Sequence, residues 1–150
     1  MINYNIEIEN AKLMFKNFSG EPSKFNRKGD RNFSVIIEDP AEAARLAADG
    51  WNIRELTSRD EDDDSIFVLG VSVAFDERFP MTIKLVTRTN ITDLDEESIS
   101  ILDNAEIKHV DLIARPYNWD VNGKTGVKAY LKALYVTIEE DRFAEKYAHL

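Results

Sequence analysis

Hydrophobic and polar residues alternate along much of the chain, which is the pattern of β-strands that bury one face. The clearest alternation is SIFVLGVSVAF at 65–75, where one face is predicted to carry Phe67, Leu69, Val71, Val73 and Phe75. A strand within 5–18 is predicted to point Ala11, Leu13 and Phe15 one way and Lys12, Met14 and Lys16 the other. Further strands are predicted at 31–37, 51–56, 81–88, 106–121 and 124–138.

Helical signals are few. Asp39 suits an N-cap, Pro40 suits the first helical position and Gly50 suits the C-terminal end, so a helix is predicted over about 40–49. One or two helical turns are predicted within 93–102, and a short C-terminal helix at 140–148. Five or more strands with so few helices indicate a mainly β domain, a strongly curved barrel or sandwich.

Composition sets limits on the class of protein. A chain of 150 residues with 43% hydrophobic and 31% charged residues is typical of one globular domain, here 1–150. The chain has no cysteine, which excludes disulfides and thiolate sites and suits a cytoplasmic location. No apolar run approaches the ~18 residues of a membrane span, and MINYNIEIEN does not resemble a signal peptide. The net charge of -9 means that any polyanion site must be local.

The stretch Val121-Asn122-Gly123-Lys124 predicts a tight hairpin, because a type I′ turn needs positive φ at both central residues. This turn pairs Val121 with Lys124, and it sets the pairs Trp119–Gly126, Tyr117–Lys128 and Arg115–Tyr130. Side chains alternate between faces, so one face is predicted to be basic and aromatic, with Arg115, Tyr117, Trp119, Lys128, Tyr130 and Lys132. The opposite face is predicted to be core, with Leu112, Ala114, Val127, Ala129, Leu131 and Ala133.

A second basic and aromatic segment is KFNRKGDRNF at 24–33. The stretch from 12 to 31 holds six cations against two acidic residues, and the cations are Lys12, Lys16, Lys24, Arg27, Lys28 and Arg31. Single-stranded nucleic acid offers unpaired bases that stack on aromatic rings, while Lys and Arg neutralise phosphates. We therefore expect bases to stack on some of Phe25, Phe33, Tyr117, Trp119 and Tyr130. We expect phosphates along Lys12, Lys16, Arg27, Lys28, Arg31, Arg115, Lys128 and Lys132, with Lys24 also at this site.

Acidic residues concentrate in three blocks, at 60–64, 93–97 and 139–141. The first has the spacing of early calcium-loop ligands, but its sixth and twelfth positions are Ser65 and Val71, so an EF-hand is not expected. The blocks are either solvated loops or charged surfaces that repel duplex DNA or contact a basic partner protein. The alternative function is therefore a β-barrel interaction or structural module that uses its acidic loops.

Catalytic patterns are weak. The chain lacks the phosphate-binding, nucleophile-elbow and zinc-protease motifs. His109 and Asp111 lie on one face of a predicted strand, and a metal-dependent phosphoesterase built on them is a distant alternative. We expect no enzyme activity, no cofactor and no metal.

Whole segments also resemble a family. The stretches IENAKLMFKNFSG, KFNRKGDRNFSVIIED and RPYNWDVNGKTGVKAYLKALYVTIEED are similar to small bacteriophage single-stranded-DNA-binding proteins with an OB-fold. The resemblance covers about residues 6–147, and it implies an OB-fold-like curved five-stranded barrel with one or two short helices. It places Phe25, Arg27, Lys28 and Arg31 beside the groove and Tyr117, Trp119, Lys128 and Tyr130 on the sheet. Many such proteins end in an acidic tail, whereas this chain ends RFAEKYAHL.

The expected function is that of a monomeric or homodimeric protein that coats single-stranded DNA in phage replication or recombination. The expected protein partners are replication or recombination proteins, contacted through the acidic segments, and no membrane association is expected.

Overall fold

The computed structural model describes residues 2–24, 26–57 and 65–139. The elements in chain order are β1 (Ile6–Ile8), β2 (Leu13–Asn17), β3 (Arg31–Ile37), α1 (Pro40–Asp49), β4 (Ile53–Leu56), β5 (Ile66–Val73), β6 (Thr82–Val86), β7 (Ile91–Asp93), a 3-10 helix (Ile99–Asp103), β8 (Ile107–Val121) and β9 (Lys124–Ile138). The predicted acidic loop 60–64 and the predicted C-terminal helix 140–148 lie outside the described residues. Among the described residues, neither helix has the length and apolar composition of a membrane span.

The strands form one mixed sheet in the order β1-β8-β9-β5-β3-β2. Strand β4 also pairs with β5, and β6 joins β9 in parallel and carries β7. The mainly β, OB-like prediction is confirmed, but the described chain has nine strands instead of five. The terminal strands β1 and β2 of this path do not pair with each other in the described ranges, so the sheet does not close into a barrel. The long strands β8 and β9 have several partners, since β8 pairs with β1 and β9 pairs with β5 and β6, while the short strands β4 and β7 pair with β5 and β6.

The long hairpin β8–β9 has the predicted turn and register. Asn122 and Gly123 have φ of 52° and 79°, as a type I′ turn requires. Val121 pairs with Lys124, and the next pairs on the same face are Trp119–Gly126, Tyr117–Lys128 and Arg115–Tyr130. A bulge then intervenes, because Ile113 pairs with Ala133 and Ala114 with Leu131, which leaves Lys132 without an opposite residue. The predicted core face is buried except for Val127, which is half-buried.

A second bulge lies in β2. Met14 pairs with Ser34 and Asn17 with Asn32, so Phe15 and Lys16 together oppose the single residue Phe33. The bulge turns Phe15 away from the core, with φ of 52° and a side chain that is 62% exposed. The predicted alternation, which placed Phe15 on the same face as Leu13, is therefore wrong at this residue.

The core lies on the side of the sheet opposite the outer residues of the β8–β9 hairpin. Phe18 and Phe33 pack with ring centroids 5.3 Å apart, and helix α1 adds Ala43 and Leu46. The predicted helix bounds are confirmed, since Asp39 accepts a hydrogen bond from the Ala41 amide at 3.0 Å. Gly50 closes the helix in the left-handed conformation. Along β5, Leu69, Val71 and Val73 are buried as predicted, Phe67 is half-buried, and Phe75 lies exposed beyond the end of the strand.

Candidate nucleic-acid interface

The outer side of the β8–β9 hairpin brings five predicted site residues together. We call this surface the hairpin face, and it consists of Arg115, Tyr117, Trp119, Lys128 and Tyr130. The rings of Tyr117 and Tyr130 meet edge to face at 5.9 Å. The Arg115 guanidinium lies 4.7 Å and the Lys128 ammonium 5.0 Å from the Tyr130 ring centroid. A cation above an aromatic ring is attracted to the face of the ring, so these cations and rings stay together at one surface. The Tyr117 side chain is 51% exposed.

The position of Trp119 depends on Gly126, which has no side chain. It pairs with Gly126, and a β-carbon added at Gly126 would lie 2.5 Å from Trp119 Cζ2. The indole therefore lies across the neighbouring strand in the space that only a glycine leaves open. One face of the ring is left toward solvent, since the side chain is 36% exposed. Sequence reasoning paired Gly126 with Trp119 but did not identify Gly126 as part of the site.

The turn after β5 adds an aromatic residue that sequence reasoning missed. Phe79 lies 4.2 Å below the Arg115 guanidinium. The turn that carries it is held by Asp76, which accepts hydrogen bonds from the Arg78 amide at 2.9 Å and the Arg78 guanidinium at 2.8 Å. The Arg78 hydrogen bonds lower the pKa of the Asp76 carboxyl to about 2, with a smaller contribution from the Arg115 charge. The signal in the sequence was FDERFP at 75–80, which mixes aromatic and charged residues like the predicted loop.

The basic loop is ordered around one amide side chain. The Asn26 Nδ2 atom donates to the carbonyls of Glu21, Arg27 and Asp30 at 2.9, 3.1 and 3.0 Å. Its Oδ1 atom accepts from Asn32 Nδ2 at 2.9 Å, which ties the loop to β3. Arg27, Lys28 and Lys24 are exposed on this loop, whereas the predicted stacking residue Phe25 lies outside the described residues. Sequence reasoning did not single out Asn26.

The remaining cations of the segment 12–31 contact residues outside the hairpin face. Arg31 is only 19% exposed in its side chain, 3.3 Å from Glu96 and 5.5 Å from the Phe75 ring. Lys12 forms an ion pair with Glu38 at 2.8 Å, and the hydrogen bond to Glu38 raises the pKa of the Lys12 ammonium. Lys16 donates to the Leu102 carbonyl at 3.1 Å. Lys132 is exposed on the β9 bulge.

Phe33 is not available for stacking. Its side chain is 1% exposed and packs on Phe18 in the core. On β3 the inward residues are Phe33, Val35 and Ile37, and the outward residues are Asn32, Ser34 and Ile36. The prediction for Phe33 is wrong because this strand lies between β2 and β5, so its apolar face must be buried.

A polar groove continues from the hairpin face across the sheet. We call it the sheet groove; its volume is about 390 Å³, and Trp119 and Lys128 line it together with Asn32, Ser34, Asn52, Arg54, Gly70 and Ser72. The exposed Arg54 is a cation at this surface that sequence reasoning did not assign.

The metal alternative lacks a third ligand within the described residues. His109 Nε2 lies 3.1 Å from Asp111 Oδ1, and that same oxygen accepts a hydrogen bond from the Asn10 amide at 2.9 Å. No group of three or more His, Asp or Glu side chains that could hold a metal ion occurs in the described ranges. The pair is half-exposed and is explained as a local side-chain contact on β8.

The open curved sheet and its exposed basic and aromatic face place the chain in the class of OB-like proteins. More particularly, the chain belongs to the family described as "Putative phage ssDNA-binding domain", whose model matches residues 1–150.

Solved structures with a similar fold include the single-stranded DNA-binding protein from bacteriophage Enc34. It is 11% identical, with 95% of this chain and 86% of that chain covered and a TM-score of 0.55. The same phage protein in complex with ssDNA is 10% identical, with 93% and 89% covered and a TM-score of 0.57. At these identities the similarity shows the fold. No match was found among curated protein sequences.

Proposed function

We propose that this protein binds single-stranded DNA without sequence preference and coats it during phage replication or recombination, without catalysing a reaction. Bases stack on Tyr117, Trp119 and Tyr130, and phosphates contact Arg115 and Lys128. The observation that carries the proposal is the hairpin face, where three rings and two cations lie together at an exposed surface of an acidic protein. Stacking supplies about 1–3 kcal/mol per base for any base, which explains tolerance of sequence.

The basic loop extends the phosphate path. Arg27, Lys28 and Lys24 are exposed on it, and Phe25 and Lys132 belong to the same proposed interface. The acidic segment 93–97 remains a proposed contact for replication or recombination proteins, acting in the cytoplasm of the host bacterium. Such a segment also discourages a duplex from approaching that side of the molecule, because like charges repel.

The test uses the two tryptophans of the chain. Trp51 is 2% exposed and donates from Nε1 to the Tyr4 hydroxyl at 3.2 Å, so its emission should stay constant. Trp119 is exposed and should be quenched by a stacked base. A titration with poly-thymidine of about 30 nucleotides should give saturable quenching that weakens with salt and is much poorer with duplex. No change in quenching or in oligonucleotide anisotropy at low salt would overturn the proposal.

Two substitutions separate stacking from charge. Trp119→Ala should weaken binding by about 1–3 kcal/mol with little change in salt dependence. Arg27→Ala should reduce the slope of log K against log salt by about 0.7, the value for one phosphate of a single strand. Lys108→Ala, an exposed cation on β8 away from the turn, is the matched control and should change neither quantity. Equal slopes for the Trp119 and Arg27 variants would contradict this division of roles.

A further inference from the structure

Phe15 combines two properties that the fold itself does not require. Its φ of 52° is in the left-handed region, which is costly for a bulky side chain, and its side chain is 62% exposed. A glycine or asparagine would suit this backbone better, and an exposed ring contributes little burial to the core. An exposed aromatic residue held in a strained bulge therefore suggests a binding role.

The strand register connects Phe15 to the hairpin face. Arg115 pairs with Tyr130, Tyr130 with Ser72, Ser72 with Asn32 and Asn32 with Asn17. Directly paired residues point to the same side of a sheet, so this row crosses from β8 to β2 on one surface. The row ends at Asn17, two residues after Phe15 in the bulge. The hairpin face and Phe15 thus lie at opposite ends of one continuous surface.

The groove along this surface is also continuous. The sheet groove has Asn32, Ser34 and Arg54 in its lining. The same three residues line a second, larger depression of about 980 Å³ that ends at Phe15. From β9 to β2 there are three strand spacings of about 4.8 Å, roughly 14 Å in all. That distance matches about four steps of ~3.4 Å between stacked nucleotides, so about five nucleotides are needed to contact both ends.

At Gly70 no side chain rises from the sheet into the groove. Gly70 pairs with Ser34, and a β-carbon added at Gly70 would meet nothing within 4 Å. Gly70 is exposed, so its missing side chain leaves room above the sheet instead of making room for a neighbour. A glycine inside a strand is typical of a site that a ligand approaches closely.

We propose that Phe15 is a second base-stacking platform, reached by a DNA strand that runs from the hairpin face over Gly70. This inference rests on the proposed function, and it adds a second subsite at the far end of the groove. Arg54 lines the path near that end and offers a positive charge to a sugar-phosphate backbone.

Phe15→Gly tests the subsite directly, because glycine accepts the positive φ and removes only the ring. The affinities of Phe15→Gly and of the unaltered protein are compared by anisotropy, using thymidine oligonucleotides of about 3 and about 12 nucleotides. We expect binding of the longer oligonucleotide to weaken about 5- to 150-fold, binding of the shorter one to change less than about 2-fold, and the melting temperature to stay the same or rise. Tyr135→Ala, an exposed aromatic residue outside both grooves, is the matched control and should bind normally.

A second variant blocks the path without touching either platform. Gly70→Val places a branched side chain in open space at a backbone that accepts it, so the fold should be retained while the longer oligonucleotide binds more weakly. Unchanged affinity of both variants for the longer oligonucleotide, with normal binding by the unaltered protein, overturns the Phe15 subsite and leaves the proposed function intact. Equal losses at both lengths together with a lower melting temperature overturn it too, since they indicate a structural role. Failure of the unaltered protein to bind any oligonucleotide overturns the proposed function itself.

Discussion

Gly126 gives the sharpest test of how the stacking surface is built. The substitution Gly126→Ala removes no ring and no charge, but it adds a β-carbon where the Trp119 indole lies. Gly126 lacks a positive φ, so alanine is acceptable to the backbone. The variant therefore perturbs the position of Trp119 and little else.

The size of the effect follows from the distances. The added carbon would lie 2.5 Å from Trp119 Cζ2, 2.7 Å from Cε2 and 2.9 Å from Nε1. Carbon atoms in contact lie about 3.5–4.0 Å apart, so the indole must move by about 1 Å or more. Since full stacking is worth about 1–3 kcal/mol per base, we expect the displaced ring to cost about 1–2 kcal/mol of binding. Stability should change little, because a Gly→Ala gain of about 0.4–1 kcal/mol offsets the lost ring contact.

The assay is a double-mutant cycle. Affinity for poly-thymidine is measured for the unaltered protein, Gly126→Ala, Trp119→Ala and the double variant, each at three salt concentrations. We expect Gly126→Ala to weaken binding about 5- to 30-fold without altering the salt slope, since no cation is lost. In the Trp119→Ala background the same substitution should have no effect, because no ring remains to be displaced.

Two results would refute this reasoning. Unaltered affinity for Gly126→Ala would show that the indole position does not matter for binding. A full loss that persists in the Trp119→Ala background would show that Gly126 acts through the strand and not through Trp119.

Three further predictions concern stability. Phe33→Ala should lower the free energy of unfolding in urea by about 3–5 kcal/mol, because the ring is buried against Phe18. The folded variant should keep its affinity for DNA. A loss of affinity at unchanged stability would indicate that Phe33 does stack on bases. Asp39→Ala should cost about 1 kcal/mol through the lost hydrogen bond to the Ala41 amide, and an unchanged urea midpoint would contradict the cap. The pKa of Asp76 is lowered from 3.8 to about 2, so its pairing with Arg78 stabilises the fold above about pH 4, and that stability is lost as pH falls through about 2. The melting temperatures of the unaltered protein and Asp76→Asn should accordingly converge near pH 2, and a constant difference from pH 7 to pH 2 would argue against the ion pair.

Structural features that depend on a few consecutive residues could be predicted from the sequence. The β8–β9 register follows from Asn122 and Gly123, because two residues that accept positive φ determine which residues face each other for the next seven pairs. Helix α1 follows equally from local chemistry, since Asp39 and Gly50 complete the hydrogen bonds at its ends. The hairpin face needed only this register and the alternation of side chains.

Structural features that depend on pairing between strands far apart in the sequence could not be predicted from it. The bulges at Phe15 and Lys132 show only in the pairing of β2 with β3 and of β9 with β8, and one extra residue reverses the alternation. Phe75 was predicted to share a face with Leu69 and Val73, but its strand ends at Val73 and leaves Phe75 at the surface.

The sequence by itself therefore determined the secondary-structure class, the hairpin and its basic and aromatic face. Tertiary structure decided which of the remaining candidates could reach that face. Phe33 is buried because β3 lies inside the sheet, and Lys12 is paired with Glu38 across a strand pair. Phe79 reaches Arg115 from a turn 36 residues away in sequence. The physical reason is that turns and caps depend on a few consecutive residues, whereas burial and ion pairing depend on side chains that only the folded sheet brings together.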